Sequence, residues 1–285
     1  MLHKGREVAA EIEKTRKQQR LGHRVVHYQS CDSTQTRLLN QLEQGALPGT
    51  VVMADHQTAG KGRQGRSWFS HQGGLQFSVA CAVSLPIAKA PRMTLLTGVA
   101  LLDVLRQLQC DAFVKWPNDI LLPAKEPGPL GNYRKIGGIL VELTCGHDRV
   151  DVARIGIGLN DQTPIEEFPS EIRLIAGALP SQIASQGRVF LMDKILNGLQ
   201  KWVMRADSEE IFAEGLELLR THSSLLGRQV RVPEEGVMGR VVDIDHDGAL
   251  LVELDSGGRR RVMAGDVWPT AGTEPSTDGP DSVPI

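Results

Sequence analysis

Apolar and polar positions change period several times along the chain, and each change marks an element. Residues 24–28 and 49–55 read as strands, and residues 75–83, part alternating and part continuously apolar, as a partly buried one. Leu38, Leu39 and Leu42 form an apolar stripe behind Asp32-Ser33-Thr34, an N-cap composition. Residues 90–108 carry Met93, Leu96, Val99, Ala100, Val104 and Leu108 on one face and predict a helix starting near Pro91. In residues 113–122 a proline splits two short apolar runs, so a strand, a turn and a strand are expected. Residues 123–132 are rich in Pro and Gly and read as a surface loop; residues 139–143 and 151–160 read as strands. Residues 189–205 and 209–220 are amphipathic helices. Beyond His222 the period shortens. Residues 228–232, 237–244, 249–254 and 259–262 alternate, with Asp247-Gly248 and Ser256-Gly257-Gly258 at hairpin spacing between them, which predicts a small β-barrel. The fold class expected is α+β: a mixed β-sheet flanked by helices over residues 23–222, a barrel over 223–270, a charged helical arm over 1–22 and a disordered tail over 271–285.

Composition bounds the classes of function. With 41% hydrophobic and 23% charged residues in 285, the chain fits an ordinary soluble globular protein. It has no apolar run of membrane-spanning length, and Met1 to Glu7 lack the apolar core of a signal peptide, so a cytoplasmic protein is expected. Cys31, Cys81, Cys110 and Cys145 lie far apart without metal-ligand spacing and read as free thiols. The net charge of −2 argues against general nucleic-acid binding.

Against that balance one stretch stands out. Ala59-Gly60-Lys61-Gly62-Arg63-Gln64-Gly65-Arg66-Ser67-Trp68 alternates glycines with cations, and residues 56–102 contain no Asp or Glu while holding Lys61, Arg63, Arg66, Lys89 and Arg92. Glycine lets a backbone come close to a ligand, and arginine forks suit phosphate oxygens, so the loop expects an anion. It matches Gly-x-Gly-x-x-Gly, but no helix follows and no acid stands about twenty residues on, so the dinucleotide reading fails. No Val-Ala-x-Lys strand follows either, against a kinase. A flexible loop with solvated cations is the bland alternative. Ser33 and Thr34 read as capping residues or as free hydroxyls at a helix N-terminus facing a ligand. Asp119 reads as a turn residue or as a Mg²⁺ ligand, and Lys135 as a strand-end charge or, beside Gly137-Gly138, a ligand contact.

In this order the motifs resemble those of bacterial biotin protein ligases over roughly residues 25–267. Asp32-Ser33-Thr34-Gln35 looks like the family's Ser-Thr segment, the glycine loop its Gly-Arg-Gly-Arg-x-Gly-Arg-x-Trp, and Lys115-Trp116-Pro117-Asn118-Asp119 matches without change. Lys135 to Glu142 resembles Lys-x-x-Gly-Ile-Leu-x-Glu, and Gly156-Ile157-Gly158-Leu159-Asn160 resembles Gly-x-Gly-x-Asn. Lys61 departs from the usual arginine, keeping the charge and losing the fork. The resemblance implies a class II synthetase-like catalytic domain with an SH3-like C-terminal barrel, and formation of biotinyl-5′-adenylate from biotin and ATP with Mg²⁺. The biotin would then pass to a lysine of a biotin carboxyl carrier domain. It implies biotin contacts from Ser33, Thr34, Gln35, Gln57, Gly60, Lys61, Gly62, Arg63, Lys135 and Gly138. It implies ATP contacts from Arg63, Arg66, Trp68, Lys115, Asn118 and Asn160, with Lys135, Arg63, Lys61 and Asp119 catalytic and Asp119 the magnesium ligand. Lipoate ligation and biotin sensing are the competing readings. The twenty-odd residues before the first strand are too short for the DNA-binding domain of the repressor-type members, so no DNA binding is expected; a homodimer is left open.

Overall fold

A computed structural model describes residues 21–270 apart from 72 and 162. The charged arm expected before residue 21 and the tail expected after 270 lie outside the described residues.

The chain runs β1 (Arg24–Cys31), α1 (Thr34–Glu43), β2 (Thr50–Gln57), β3 (Leu75–Pro86), α2 (Arg92–Gln107), β4 (Phe113–Lys115), β5 (Asp119–Gly128), β6 (Gly131–Cys145) and β7 (Arg149–Leu159). Two single-turn helices follow, α3 (Ser170–Arg173) and α4 (Ser181–Ala184), then α5 (Arg188–Trp202) and α6 (Glu209–Thr221). The C-terminal strands are β8 (Gln229–Val232), β9 (Val237–Ile244), β10 (Leu250–Leu254), β11 (Arg259–Val262) and β12 (Trp268–Pro269).

Strands β1 to β7 form one sheet in the order β1-β2-β3-β7-β6-β5-β4. Only the β1–β2 pair is parallel, because α1 carries the chain across between them; the other neighbours run antiparallel. The apolar faces of α2, α5 and α6 pack together on one side of the sheet. Gly98 brings α2 close there, against Val114 and Ile139. On the other side, α1 seats Leu38 on Val52 and Ala80. That helix covers only part of its face, so the sheet stays open beside its N-terminus.

Residues 123–132 are not a surface loop, as their Pro and Gly content suggested. They form the tip of the β5–β6 hairpin, with Pro123 opposite Tyr133 and Gly128 opposite Gly131. Strand β4 covers β5 only as far as Leu121. Beyond it β5 is an edge strand, where a proline costs no ladder hydrogen bond.

Strands β8 to β12 make a second, five-stranded antiparallel sheet in the order β11-β10-β9-β8-β12, the small SH3-like architecture expected. It does not stand apart. Val230, Val241, Leu250 and Val252 belong to the same buried cluster as Leu96, Trp202 and Phe212 of the helices. Gly248 fits against Leu95, and its carbonyl accepts a hydrogen bond from Trp116 Nε1 at 3.0 Å. The C-terminal sheet is thereby held against the turn that separates β4 from β5.

Candidate active site

On the face beside α1 the sheet has a floor made largely of glycine. Gly138 of β6 lies opposite Gly158 of β7, and Leu140 opposite Gly156. Paired residues share a face, so three glycines open a shallow trough across two strands. A Cβ on Gly158 would stand 2.5 Å from the Trp68 ring, one on Gly138 3.1 Å from it, and one on Gly156 3.2 Å from Gln35. The trough is the floor of a cleft that Ser33, Thr34, Gln35, Gln57, Lys61, Gly62, Arg63, Arg66, Trp68, Lys115, Asn118, Asp119, Lys135 and Gly138 all line. One cleft therefore brings together every site residue expected from the sequence except Gly60 and Asn160.

The start of α1 forms the polar, uncharged end. Ser33 occupies the N-cap position, yet its hydroxyl makes no capping bond. Thr34 donates through both its backbone N–H (2.8 Å) and its hydroxyl (3.2 Å) to Gln57 Oε1, and its hydroxyl meets Ser78 Oγ at 2.8 Å. With its oxygen occupied, Gln57 has its amide nitrogen left to give. Both residues are buried. Gln35 is fixed by bonds from its Nε2 to Glu142 and to the Arg154 carbonyl, while its Oε1 is buried without a protein partner.

The charged end is a buried triad. Asp119 begins β5 and accepts an ion pair from Lys135 Nζ at 2.9 Å and another from Lys115 Nζ at 3.1 Å. A β-bulge makes this meeting possible. Ile120 pairs with Gly137 but Leu121 pairs with Lys135, so Ile136 is the extra residue and Lys135 is re-aimed toward the face that holds Gly138 and Asp119. Burial alone would raise the Asp119 carboxyl; the two ammonium groups outweigh it and hold the group well below the usual carboxylate range. Burial lowers the Lys135 ammonium even though Asp119 opposes it. Lys135 Nζ also stands 5.7 Å from the Trp68 ring, and Lys115 Nζ 5.3 Å from that of Trp268.

The glycine loop roofs the cleft as a small hairpin with its own hydrogen bonds, Gly62 N–H to Arg66 O at 2.7 Å and Trp68 N–H to Gly60 O at 2.9 Å. Gly60 is the tight point, where a Cβ would come within 2.6 Å of the Trp68 carbonyl. Arg63 donates to Asn118 Oδ1 at 2.8 Å, and Asn118 is anchored in turn to the Ile139 carbonyl. Arg66 pairs with Asp266, in the loop between β11 and β12.

Asn160 lies across Trp68 from the trough. With Trp68, Phe69, Lys135, Phe168, Ile172, Ile175 and Ala176 it lines a second, apolar pocket. Its amide nitrogen is tied to the Gly177 carbonyl at 2.9 Å.

Asp119 does not fit the role of magnesium ligand expected of it. A hard cation needs free carboxylate oxygens, and each oxygen of Asp119 already faces a lysine ammonium. The other carboxylate lining the cleft, Asp266, is paired with Arg66. Among the described residues the one cluster with metal-ligand spacing is Asp245, His246 and Asp247 in the β9–β10 turn, where Arg261 pairs with both acids.

Sequence reasoning missed the residues that arrive from far along the chain. Gly156 and Gly158 carried a signal, since glycines punctuate their strand. Asp266 and Trp268 carried none, because only the docking of the C-terminal sheet brings them to the cleft.

The family model described as the biotin/lipoate A/B protein ligase family matches residues 27–160, and the biotin protein ligase C terminal domain matches residues 225–268. The bifunctional ligase/repressor BirA of Bacillus subtilis is 32% identical over 255 residues, which cover 87% of this chain and 74% of that protein. The chain belongs to the biotin protein ligases. The biotin--[acetyl-CoA-carboxylase] ligase of Mycobacterium tuberculosis is 32% identical over 249 residues, covering 82% of this chain and 85% of that one. The biotin protein ligase of Aquifex aeolicus, solved in complex with biotin and ATP, superposes with a TM-score of 0.68 at 27% identity over 85% of this chain and 97% of its own. By family this ligase is an enzyme, and both of its matched segments coincide with the two sheets that form the cleft. No described helix is long and apolar enough to cross a membrane.

Proposed function

We propose that this ligase joins biotin to ATP as biotinyl-5′-adenylate and passes the acyl group to a lysine of a biotin carboxyl carrier domain. The observation that carries the reading is the polarity of the trough: hydroxyl and amide at one end, paired lysines at the other, and bare glycine backbone between them. A bicyclic urea with an aliphatic carboxylate tail has that same sequence of groups. Ser33 and Gln57 would meet the urea, with Thr34 and Gln35 holding the wall behind it. Gly60, Gly62 and Gly138 would let the backbone approach, and the carboxylate would reach toward Lys135, Lys61 and Arg63.

Adenylation joins two anions. A carboxylate oxygen attacks the α-phosphorus, the bond to pyrophosphate breaks, and no covalent enzyme intermediate is needed. Catalysis of this kind is positioning plus neutralisation of developing charge. Lys135, Lys61, Arg63, Arg66 and Lys115 supply the cations. Asp119 holds Lys135 and Lys115 in register, and Asn118 holds Arg63. The apolar pocket beyond Trp68, with the Asn160 amide at its rim, suits an adenine ring. No step is assigned to Mg²⁺, since the acids of the cleft do not fit it.

Incubation with ATP and either biotin or lipoate tests the reading through pyrophosphate release. Release with biotin alone, followed by labelling of a purified carrier domain, is the expected result. Release with lipoate and not biotin would make this a lipoate-activating relative, and binding of biotin without turnover would make it a sensor.

A further inference from the structure

Two carboxylates line the cleft. Asp119 is committed to two lysines. Asp266 comes from the other sheet, beyond β11, and its position is held from behind: its backbone N–H lies 3.3 Å from both oxygens of Glu234, which also accepts from Gln64 Nε2 of the glycine loop at 3.3 Å. Its carboxylate is bound by Arg66 alone among the described side chains. Both side chains of that pair are mostly buried, at 20% and 17% exposure, so neither is a solvated surface charge.

Arg66 is therefore asked to do two things. Facing the cleft it is a phosphate-binding cation; facing the C-terminal sheet it neutralises an acid. Only its Nη2 meets Asp266, so a phosphate held in bidentate fashion competes with that carboxylate for the same guanidinium charge and weakens its hold. A carboxylate released from Arg66 beside the reacting centre, and close to the second acid Glu234, becomes a site for a cation. The second half of the reaction brings one: the ε-ammonium of the acceptor lysine. It must be held close to the acyl carbon and must lose a proton before it can attack.

We propose that Asp266 is the receptor for the acceptor lysine, masked by Arg66 in the free enzyme and unmasked when Arg66 turns to the phosphate of the bound acyl-adenylate. This rests on the function proposed above. The lysine ammonium pairs with Asp266 and passes it one proton. The amine nitrogen then attacks the acyl carbon. The C–N bond forms as the acyl C–O bond to phosphate breaks, and AMP departs with the second proton. The device orders the reaction, since the acceptor site exists only after the adenylate does. It also gives the C-terminal sheet a direct part in transfer.

The test separates a charged nucleophile from an uncharged one. Wild type and Asp266→Asn are loaded with biotinyl-adenylate, and transfer is timed to a purified biotin carboxyl carrier domain and to hydroxylamine, which is uncharged at pH 8. Loss of a hydrogen-bonded ion pair predicts about tenfold to a hundredfold slower transfer to the carrier lysine, with hydroxylamine transfer changed less than twofold and Asp266→Glu recovering most of the carrier rate. Carrier transfer by Asp266→Asn within twofold of wild type overturns the proposal. Equal slowing with both nucleophiles also overturns it, because that is a structural effect on the loop. So does failure of the variant to bind added adenylate, because Asp266 is assigned no contact with the nucleotide. Absence of any biotinyl-adenylate in the wild type would instead defeat the underlying reading.

Discussion

Lys135 Nζ and Asp119 Oδ1 meet at 2.9 Å from neighbouring strands, in a register that only the bulge at Ile136 allows. The pair puts a desolvated ammonium at the charged end of the trough and fixes where it points. Lys135→Ala is expected to lose about 10²–10³ in the rate of adenylate synthesis, the usual cost of one preorganised charge-stabilising donor. Asp119 keeps Lys115, so the fold should survive. Asp119→Asn should be the less stable variant, because it leaves two lysines buried together, and removing one partner of a buried pair costs about 3–5 kcal/mol. Thermal melts beside pyrophosphate release decide this; a Lys135→Ala enzyme with near-normal turnover removes Lys135 from the chemistry.

The same pair carries a pH dependence. The Asp119 carboxyl is held below its unfolded value, so its stabilisation is complete above an unfolded carboxylate pKa of about 3.9 and is lost as pH falls from there toward the depressed folded value. Wild type should therefore lose melting temperature below about pH 4 more steeply than Asp119→Asn does.

Gly158→Ala tests the floor. The new methyl would meet the Trp68 ring at 2.5 Å, too close for the ring to stay. Trp68 divides the trough from the apolar pocket, so both ligands should bind at least about tenfold more weakly, a loss of about 1.4 kcal/mol each. Gly156→Ala meets Gln35 at 3.2 Å, a smaller overlap than the one at Trp68, and should be milder. Titration calorimetry with biotin and with ATP gives the comparison; unchanged affinities in Gly158→Ala would mean that the floor is not the binding surface.

Arg63→Gly should separate making the intermediate from keeping it. Arg63 ties the loop to Asn118 at 2.8 Å, and the substitution removes that tie while adding chain entropy. Lys61, Lys115 and Lys135 remain, so adenylate synthesis should persist in part while the adenylate leaves faster. Biotin should then appear on lysines of an unrelated protein such as albumin. A variant that retains adenylate as long as wild type shows that Arg63 is not the clamp.

Asp161 follows Asn160 and is buried, with Oδ1 lacking a partner. Burial pushes its carboxyl up to about 6, with Arg188 opposing. The folded state thus holds its proton more tightly than the unfolded chain does, and stability should fall as pH rises from about 4 to about 6. Asp161→Asn should abolish that fall and melt higher than wild type at pH 8, by about 2–4 °C for each kcal/mol relieved. Equal melting temperatures at pH 8 would mean that Asp161 finds a partner or water.

Most of the site was legible because its residues come in short runs whose chemistry is local. Lys61, Arg63 and Arg66 stand within six positions, and Lys115, Asn118 and Asp119 within five. The β5–β6 hairpin was misread because composition reports turn residues and cannot report that β4 covers β5 only as far as Leu121, leaving an edge where prolines are harmless. The poor fit of Asp119 to a magnesium ion was out of reach for a related reason: a carboxylate looks free until its neighbours in space are known.

By itself the sequence determined what depends on neighbours in the chain: the periods that make α2, α5 and α6 amphipathic, the turn chemistry of the C-terminal hairpins, and the glycine–cation alternation that calls for an anion. Tertiary structure decided what depends on register and docking. A one-residue bulge turned Lys135 to Asp119. Pairing of β6 with β7 laid Gly138 beside Gly158 and made a floor of them. Packing of the second sheet on the helices carried Asp266 two hundred positions back to Arg66. Side-chain period is a property of one strand, but which face is buried, and what stands opposite, is set only when strands and sheets meet.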